Sequence, residues 1–588
     1  MLKEPPNEAL KYLAKEFWHA LRSAKETYLD LSDGAEGAPP TPQPDHLRPG
    51  ADVGRDGHTT FVLFAPGKQA VALAGTFNDW SPEPMADAGE GLWWTERRLP
   101  QGRHAYQFVV DGNIWICDPY AREVQWDERG PKAITEVGKE PYTWNDGDFH
   151  PRPLHDLIIY EAHVGDFSPE GTFEGMRQRL DYIKELGVTA IELMPVMEFP
   201  MDRSWGYNPS FFFAPEHAYG TADDLKRLID DAHQRGIAII LDVVFNHTQQ
   251  DNPLNLMWPY DQNPYFSGSN PWGMPDFNHF ADMTKAYIRD VQDFWLTEYH
   301  IDGFRYDATA YIESDVMSGI GFFTWAARQT KPEVYLIAEH LPQDPYWIHN
   351  TELDAQWHDT FHDVMKAQLR EGNFEGGQQW GDLDAVERSL HYALDGFSHP
   401  REVVNYTASH DEQRVVHETL SNPWLNDEIA YRKAKLGMLT VITAAGVPML
   451  YAGEETGMNK PRTTDEAKFE WNRLQSVPEA QDLHQHWQRL TWLRNTHPAL
   501  RAPNFQTLTK WGEQKAISFQ RWNDEGDAIV VLLNFSNEKY HLPVSFPSGG
   551  TWWEYLYNFP IETGDDNTVT LEIPPSGGLI FCKWKNWD

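Results

Sequence analysis

Short apolar runs alternate with amphipathic stretches through the middle of this chain, from about residue 154 to 500. In the stretch 172–187, Phe173, Met176, Leu180 and Ile183 recur at helical spacing. Strands that alternate with helices are typical of parallel β/α units. Eight apolar runs are candidate strands, at 158–164, 190–196, 238–245, 302–308, 334–340, 353–361, 403–411 and 448–455. A closed (β/α)8 barrel needs eight strands, so the pattern predicts an α/β fold with a TIM barrel over 151–502.

The regions on either side of this barrel follow a different pattern. Residues 51–150 contain short runs that alternate with a period of two and predict an N-terminal β-sandwich. Residues 503–588 return to that alternation and predict a C-terminal antiparallel β-domain. Residues 1–50 are expected to form an amphipathic helix and a Pro/Gly-rich linker. The aromatic, Pro-rich segment at about 248–278 is expected to be a loop subdomain of the barrel.

Charge and composition limit which partners and which cellular location are expected. The formal net charge is −39, from 88 acidic and 49 basic residues. Such a surface repels phosphate backbones and anionic lipids, so no nucleic-acid or membrane partner is expected. No window approaches the roughly 18 apolar residues of a membrane span, and the N-terminus does not resemble a signal peptide. We therefore expect a cytoplasmic protein. Its only two cysteines, Cys117 and Cys582, offer no thiolate metal site.

Four of the candidate strands end in carboxylates or histidines. The segments are ILDVVFNH (240–247), HIDGFRYDA (300–308), VYLIAEH (334–340) and NYTASHDE (405–412). In a (β/α)8 barrel the active site lies at the carboxyl ends of the strands. We therefore expect Asp307, Glu339 and Asp411 to meet in one pocket, which favours chemistry on a sugar.

The residue types in these segments suggest distinct roles. Arg305 and Asp307 are two apart on a strand and share a face, and a guanidinium keeps a neighbouring carboxylate ionised, as a nucleophile requires. A structural ion pair is the alternative for this pair. Glu339 follows an apolar run that should raise its pKa, so it could act as a general acid. Asp411 and the histidines His247 and His410 could hold ring hydroxyls.

Together the four segments resemble the signature segments of the α-amylase superfamily, glycoside hydrolase family thirteen. The resemblance implies that Asp307 is the nucleophile, Glu339 the general acid/base and Asp411 the transition-state stabiliser. It implies that the substrate-binding residues of the cleaved-glucose subsite are Arg305, His247, His410, Tyr207 and Asp242. Asn246 matches an asparagine that binds calcium in many amylases. The other calcium ligands are not evident in this sequence, so no metal or other cofactor is expected.

The segment AGTFNDW (74–80) resembles the glycogen-binding type of module, family 48, that precedes many α-glucan enzymes. By that resemblance Trp80, Trp93 and Trp94 could stack on glucose rings at the surface. They could equally belong to the sandwich core or to the seam with the next domain.

The resemblance predicts an enzyme that acts on an α-glucan or maltooligosaccharide with retention, by double displacement. Our main interpretation is an α-amylase-type hydrolase of α-1,4-linked glucan. A 1,4-α-glucan branching enzyme is the alternative that SHDE (409–412) suggests, and LDAQWHDTFHD (353–363) suggests a maltooligosyltrehalose trehalohydrolase. A non-catalytic glycan-binding protein is expected to lack at least one of the three acids, and all three are present. The oligomeric state is left open.

Overall fold

The structure is a computed structural model that describes residues 47–201, 203–374 and 377–583. The predicted N-terminal helix lies outside the described residues. In this part of the chain, no helix is long and apolar enough to cross a membrane.

Two antiparallel sheets form the N-terminal region. Their ten strands are β1 Gly50–Val53, β2 His58–Phe64, β3 Val71–Gly75, β4 Glu83–Pro84, β5 Ala86–Gly89, β6 Leu92–Arg98, β7 Gly102–Val110, β8 Ile114–Ile116, β9 Val124–Asp127 and β10 Gly130–Val137. One sheet has the order β1-β2-β6-β5 and the other β4-β3-β7-β10-β9, with β8 beside β7. The sheets pack through apolar side chains, as where the rings of Phe61 on β2 and Tyr106 on β7 lie 4.8 Å apart.

Two of the three tryptophans proposed as glucose-stacking residues are buried in this region. Trp93 and Trp94 lie on β6 and are only 8% and 6% exposed. The prediction of a glycan-binding surface is therefore wrong for these two side chains, because packing removes both from solvent. Trp80 is half-buried, and the ammonium group of Lys132 lies 5.5 Å from the centre of its ring.

Truncating a buried tryptophan should destabilise the sandwich far more than truncating Trp80. Removal of a large aromatic side chain from a core costs about 3–5 kcal/mol, because apolar contacts are lost and a cavity remains. We expect Trp93→Ala to lower the free energy of unfolding by an amount in that range and Trp80→Ala by much less. Chemical denaturation of both variants measures this, and equal losses would contradict the burial of Trp93.

The middle of the chain forms the closed barrel that the sequence predicts. Its strands and those of its loops are β11 Ile159–Ala162, β12 Ala190–Leu193, β13 Met197–Glu198, β14 Phe211–Pro215, β15 Ala238–Val243, β16 Phe266–Ser269, β17 Pro275–Phe277, β18 Gly303–Tyr306, β19 Tyr335–Ala338, β20 Ala355–Trp357, β21 Val403–Asn405 and β22 Val447–Tyr451. The barrel order is β11-β12-β15-β18-β19-β20-β21-β22, and β22 pairs with β11 to close it. All eight predicted strands are present, so the predicted fold class is confirmed.

Helices surround the barrel and cover its strands. They are α1 Val164–Phe167, α2 Phe173–Arg177, α3 Leu180–Glu185, α4 Ala222–Gln234, α5 Pro253–Leu256, α6 Asp282–Glu298, α7 Ile320–Thr330, α8 Pro345–Asn350, α9 Asp359–Arg370, α10 Leu383–Leu390, α11 Val415–Leu420, α12 Asp427–Thr443, α13 Arg473–Ser476 and α14 Pro478–Thr496. Short 3-10 helices lie at Leu154–Asp156, His217–Tyr219, Tyr260–Gln262, Thr309–Tyr311, Tyr392–Asp395, Pro400–Glu402, Glu454–Thr456 and Pro498–Leu500. Barrel strands buried on both faces read as nearly continuous apolar runs, as the sequence does here.

The C-terminal region is antiparallel, as predicted. Its strands are β23 Asn504–Trp511, β24 Ala516–Trp522, β25 Ala528–Asn534, β26 Tyr540–Ser545, β27 Gly550–Glu554, β28 Phe559–Thr563, β29 Thr568–Ile573 and β30 Gly577–Cys582. Six of them form a sheet in the order β23-β24-β25-β30-β27-β28, and β26 pairs with β29. This region packs on the barrel helix α12, where the buried Lys433 donates to the carbonyl of Phe535 at 2.6 Å. The domain boundaries stay predictions.

Candidate active site

A buried arginine at the mouth of the barrel joins three carboxylates. Arg305, on β18, is fully buried. Its Nη1 lies 2.8 Å from Oδ1 of Asp242 and 3.1 Å from Oδ1 of Asp307, and its Nη2 lies 2.8 Å from Oε2 of Glu339. The three acids come from or directly follow β15, β18 and β19, which are neighbours in the barrel. A single guanidinium therefore holds Asp307 and Glu339 side by side.

Asp307 is buried and has the charge state that a nucleophile needs at neutral pH. Burial raises its pKa to about 6, although the charge of Arg305 acts in the opposite direction. The sequence led us to expect that the guanidinium would dominate, and the structure shows that desolvation outweighs it. Asn246 donates from Nδ2 to Oδ2 of Asp307 at 3.2 Å, which stabilises the ionised form. At pH 7 the carboxylate is thus mostly ionised.

The pKa of Asp307 predicts the acid limb of the activity profile. A nucleophilic carboxylate is active only when ionised, so kcat/KM should fall as the pH falls through about 6. Initial rates measured between pH 4 and 8 test this expectation. A profile that stays flat down to pH 4 would contradict the assigned state of Asp307.

Glu339 lies in a setting that suits a general acid. Burial raises its pKa, as expected from the apolar run before it, and outweighs the opposing charge of Arg305. The neighbouring charge of Asp307 adds to the rise. The backbone N–H of Ala308 donates to Oε2 of Glu339 at 2.8 Å. Ala308 adopts the left-handed conformation with φ of 42°, which is uncommon for a residue with a side chain. This turn after Asp307 directs the N–H of Ala308 at the acid and fixes its position.

The third acid is held by two cations. Nε2 of His410 lies 3.3 Å from Oδ2 of Asp411, and Nη2 of Arg462 donates to Oδ1 of Asp411 at 2.7 Å. Burial raises the pKa of Asp411, but the charge and hydrogen bond of His410, together with Arg462, leave it well below its usual range. Its charge also raises the pKa values of Asp307 and Glu339, after the larger effect of burial. The three acids therefore share one electrostatic environment.

Glu161 on β11 contacts His410, and it was not among the residues predicted from the sequence. It is fully buried and accepts from Nδ1 of His410 at 2.6 Å and from its backbone N–H at 3.1 Å. Burial lowers the pKa of His410, but the charges of Asp411 and Glu161 more than offset this and leave it well above the ordinary value. His410 is therefore an imidazolium held between two carboxylates. The signal for Glu161 was a charged residue inside an otherwise apolar barrel strand, IIYEAHV.

Removal of the charge at Glu161 should change the alkaline side of the pH profile. In Glu161→Gln the pKa of His410 should fall, because one of its two anionic partners is gone. The imidazolium is then lost as the pH rises through the lowered pKa, and Asp411 loses its partner. We expect the alkaline limb of kcat/KM to move down by about one pH unit or more. Identical alkaline limbs in variant and wild type, with equal thermal stability, would contradict this role.

The remaining predicted substrate-binding residues lie around the same site. Tyr207 donates from its hydroxyl to Oδ2 of Asp242 at 2.5 Å, and its ring stacks on that of His410 at 4.7 Å. His247 is buried, and its Nε2 contacts the carbonyl of Tyr207 at 2.9 Å. The structure thus brings four of these side chains together, those of Arg305, Tyr207, Asp242 and His410. His247 contacts this group through the backbone carbonyl of Tyr207. Their roles toward a substrate stay predictions.

The residues that could hold a metal are few. Asn246 faces Asp307 through Nδ2, and its Oδ1, which lacks a hydrogen-bond partner among the described residues, is one oxygen of the roughly six to eight that Ca²⁺ takes. In the described ranges, only one group of three His, Cys, Asp or Glu side chains is close enough to share an ion, and it consists of Glu198, Glu216 and His217. Each carboxylate oxygen of that group already accepts a hydrogen bond from the protein. We assign no metal to either place.

Three family descriptions match successive parts of the chain. The description "Alpha amylase, catalytic domain" matches residues 141–254 and 251–503. "Glycogen recognition site of AMP-activated protein kinase" matches 58–140, and "Alpha amylase, C-terminal all-beta domain" matches 509–583. The catalytic-domain match covers more than half of the chain. The protein therefore belongs to the α-amylase family.

Individual relatives differ in the activity that their names state. The chain is 32% identical to a malto-oligosyltrehalose trehalohydrolase of Saccharolobus solfataricus. The alignment covers 60% of the chain and 66% of that enzyme, so the chain spans just under two thirds of this relative's length. It is 26% identical to a 1,4-alpha-glucan branching enzyme of Marinobacter nauticus, over 89% of the chain and 93% of that enzyme. A type I pullulanase of Bacillus subtilis str. 168, solved with maltose, has the same fold with a TM-score of 0.77, at 22% identity over 91% of this chain and 85% of the pullulanase.

Proposed function

We propose that this protein is a retaining glycosidase that acts on α-linked glucose chains. The observation that carries the proposal is the set of contacts made by Arg305. Its guanidinium places an ionised carboxylate, Asp307, beside a carboxyl group of raised pKa, Glu339. Retaining glycosidases need a nucleophile and a general acid about 5–5.5 Å apart. Two groups bound to neighbouring nitrogens of one guanidinium are consistent with such a separation.

The proposed chemistry has two steps. An oxygen of Asp307 attacks the anomeric carbon while Glu339 gives its proton to the leaving oxygen, which forms a glycosyl-enzyme and breaks the glycosidic bond. Glu339, now a carboxylate, takes a proton from water as the water attacks the anomeric carbon and releases Asp307. Asp411, held ionised by His410 and Arg462, is placed to accept hydrogen bonds from ring hydroxyls.

For the substrate we propose a maltooligosaccharide that ends in trehalose, cleaved to release trehalose. The supporting observations are the trehalohydrolase relative and the segment LDAQWHDTFHD (353–363), which resembles that group. These observations favour this alternative over the α-amylase type that was our main interpretation of the sequence. The cytoplasmic location and the lack of a metal cofactor stay part of the proposal.

A branching enzyme is the second candidate. The branching-enzyme relative aligns along 93% of its own length and so supports the same three-region organisation. In a branching enzyme a sugar hydroxyl replaces water in the second step, and the acids keep their roles. The loops around the site decide which acceptor enters.

One experiment separates these candidates. The protein is incubated separately with maltotriosyltrehalose and with amylose, and released trehalose, new reducing ends and new α-1,6 linkages are measured. Trehalose from the first substrate, with little change in amylose, supports the proposal. New α-1,6 linkages without new reducing ends would favour the branching enzyme. Rapid release of reducing ends from amylose would return the assignment to the amylase type.

A further inference from the structure

A second buried glutamate lies beside Glu161 inside the barrel. Glu192 is on β12, and the parallel pairing of the strands places it level with Glu161 on β11. Two residues earlier on these strands, Ile159 and Ala190 belong to the apolar cluster inside the barrel. Side chains two apart on a strand share a face, so both glutamates point into the barrel. Both are fully buried.

The carboxyl group of Glu192 lacks the donors that hold the other acids of the site. No group of the described residues donates a hydrogen bond to either of its oxygens, which are buried. Both oxygens of Glu161, by contrast, accept from His410. A buried carboxylate without donors is costly, because nothing replaces the water that it loses. The neutral acid is therefore the form of Glu192 that this position favours.

The charges around Glu192 support the same conclusion. Burial raises its pKa well above the ordinary value, and the negative charges of Glu161 and Asp242 act in the same direction. The positive charges of Arg305 and His410 act in the opposite direction and do not offset burial. These four groups come from β11, β15, β18 and the segment after β21. At neutral pH the side chain should therefore carry a proton.

A proton turns Glu192 from an acceptor into a donor. A protonated carboxyl group has one O–H, and a buried donor is normally paired. Glu161 offers an acceptor at the same level of the barrel. Each of its oxygens accepts one hydrogen bond from His410 and keeps a second lone pair. The two glutamates are therefore complementary when one is neutral and the other is charged.

Asp242 is the other carboxylate near Glu192, and the register of the strands disfavours it as the acceptor. On β15 the residue level with Glu192 is Ile240, and Asp242 lies two residues further along. Both oxygens of Asp242 already accept from Arg305, and Oδ2 also accepts from the hydroxyl of Tyr207. Of the two negative charges near Glu192, that of Asp242 has the smaller effect on its pKa.

We propose that Glu192 is a positioning residue that stays protonated and donates a hydrogen bond to the carboxylate of Glu161. Glu192, Glu161, His410 and Asp411 then form one chain that runs from the barrel interior to the third acid of the site. The hydrogen bond holds Glu161 in the orientation in which it keeps His410 charged. The effect on catalysis rests on the proposed function, whereas the protonation of Glu192 does not.

The same substitution at the two neighbouring glutamates distinguishes a neutral acid from an anion. Glu192→Gln replaces a neutral acid by a neutral amide that can still donate to Glu161. The alkaline limb of kcat/KM for maltotriosyltrehalose should therefore not move. Glu161→Gln removes an anion and should move that limb down, as described above. A downward shift in Glu192→Gln as large as that in Glu161→Gln would show that Glu192 is ionised and would overturn the proposal.

Removal of the donor should have a cost that the amide avoids. Leucine cannot donate to Glu161, so we expect Glu192→Leu to lower kcat/KM about tenfold or more, the effect of one hydrogen bond to a charged group. Glu192→Gln should stay close to wild type. Equal losses in the two variants would overturn the hydrogen bond. Since glutamine keeps the shape of the side chain, the comparison with Glu161→Gln is decisive even if Glu192→Leu does not fold.

Infrared spectroscopy detects the proton on Glu192 without any substrate. A protonated carboxyl group has a carbonyl band that a carboxylate lacks. The difference spectrum between wild type and Glu192→Gln should therefore contain this band at both pH 7 and pH 8. A band at both pH values in a protein that releases no trehalose would support the protonated glutamate and contradict only the proposed function. Absence of the band at pH 7 would overturn the proposal whatever the activity.

Glu554 provides the matched control for both measurements. It is a buried acid on β27 in the C-terminal region, and burial raises its pKa to about 7. The band in the difference spectrum between wild type and Glu554→Gln should therefore weaken between pH 6 and pH 8, while that of Glu192 persists. Glu554→Gln should leave the pH profile of kcat/KM unchanged. Bands of Glu192 and Glu554 that fade together over this range would overturn the proposal.

Discussion

Asp307→Asn is expected to abolish turnover, with a loss of kcat on the order of 10⁴-fold or more. An amide cannot form the glycosyl-enzyme, because it lacks the anionic oxygen that attacks the anomeric carbon. Asparagine has nearly the same shape as aspartate and can still accept from Asn246 and lie beside Arg305. Binding of maltoheptaose should therefore persist. Steady-state rates and calorimetry on the same preparation measure both quantities.

Two outcomes would count against this assignment. Turnover within tenfold of wild type would mean that another group attacks the sugar. If the variant loses both turnover and the folded state, the ion pair between Arg305 and Asp307 has a structural role. This is the alternative stated in the sequence-based prediction for the pair. A thermal melt of the variant distinguishes an inactive folded protein from an unfolded one.

Glu339→Gln should show a different pattern, because its role depends on the leaving group. On maltotriosyltrehalose we expect kcat to fall by about 10²–10⁴, the usual contribution of general acid–base catalysis. α-Maltosyl fluoride needs no proton to release its leaving group, so the first step should proceed. The glycosyl-enzyme should then accumulate, since no base remains to activate water. A burst of fluoride followed by a slow steady rate is the expected result.

Azide provides the test that is specific to the acid/base. Azide is already an anion and needs no base, so it should restore turnover of α-maltosyl fluoride by Glu339→Gln and form α-maltosyl azide. Absence of both a fluoride burst and azide rescue would show that Glu339 has another role. Asp411→Asn is the control, because its loss affects both substrates and should not respond to azide.

The fold could be predicted almost entirely from the sequence, for a physical reason. Each barrel strand is buried on both faces, so an apolar run marks it, and the amphipathic helices between the runs mark the crossovers. The positions of Asp307 and Glu339 could be predicted in the same way, because the carboxyl ends of all the barrel strands lie at one end of the barrel. These inferences depend only on residues close in sequence.

The features of the site that could not be predicted from the sequence depend on contacts between residues that are distant in the chain. Glu161 and His410 are 249 positions apart, and only closure of the barrel joins them. Arg462 lies in the segment after β22, where nothing in the local pattern marks it as a partner of Asp411. The rise in the pKa of Asp307 could not be predicted for a related reason, because the extent of burial is a property of the packed site. The burial of Trp93 and Trp94 could not be predicted either, because the sequence of a strand does not show whether another sheet covers its aromatic side chains.

The hydrogen bond between Glu161 and His410 also has a consequence for how the protein is made. Synthesis from the N-terminus delivers Glu161, Arg305, Asp307 and Glu339 before His410, Asp411 and Arg462. The acids that contact Arg305 are therefore synthesised first, and Glu161 has no imidazolium partner until His410, which follows the seventh barrel strand, has been made. A chain that stops before this point therefore holds Asp307 and Glu339 without His410, Asp411 and Arg462. We therefore expect activity only from chains that extend beyond Arg462, after the last barrel strand has been made.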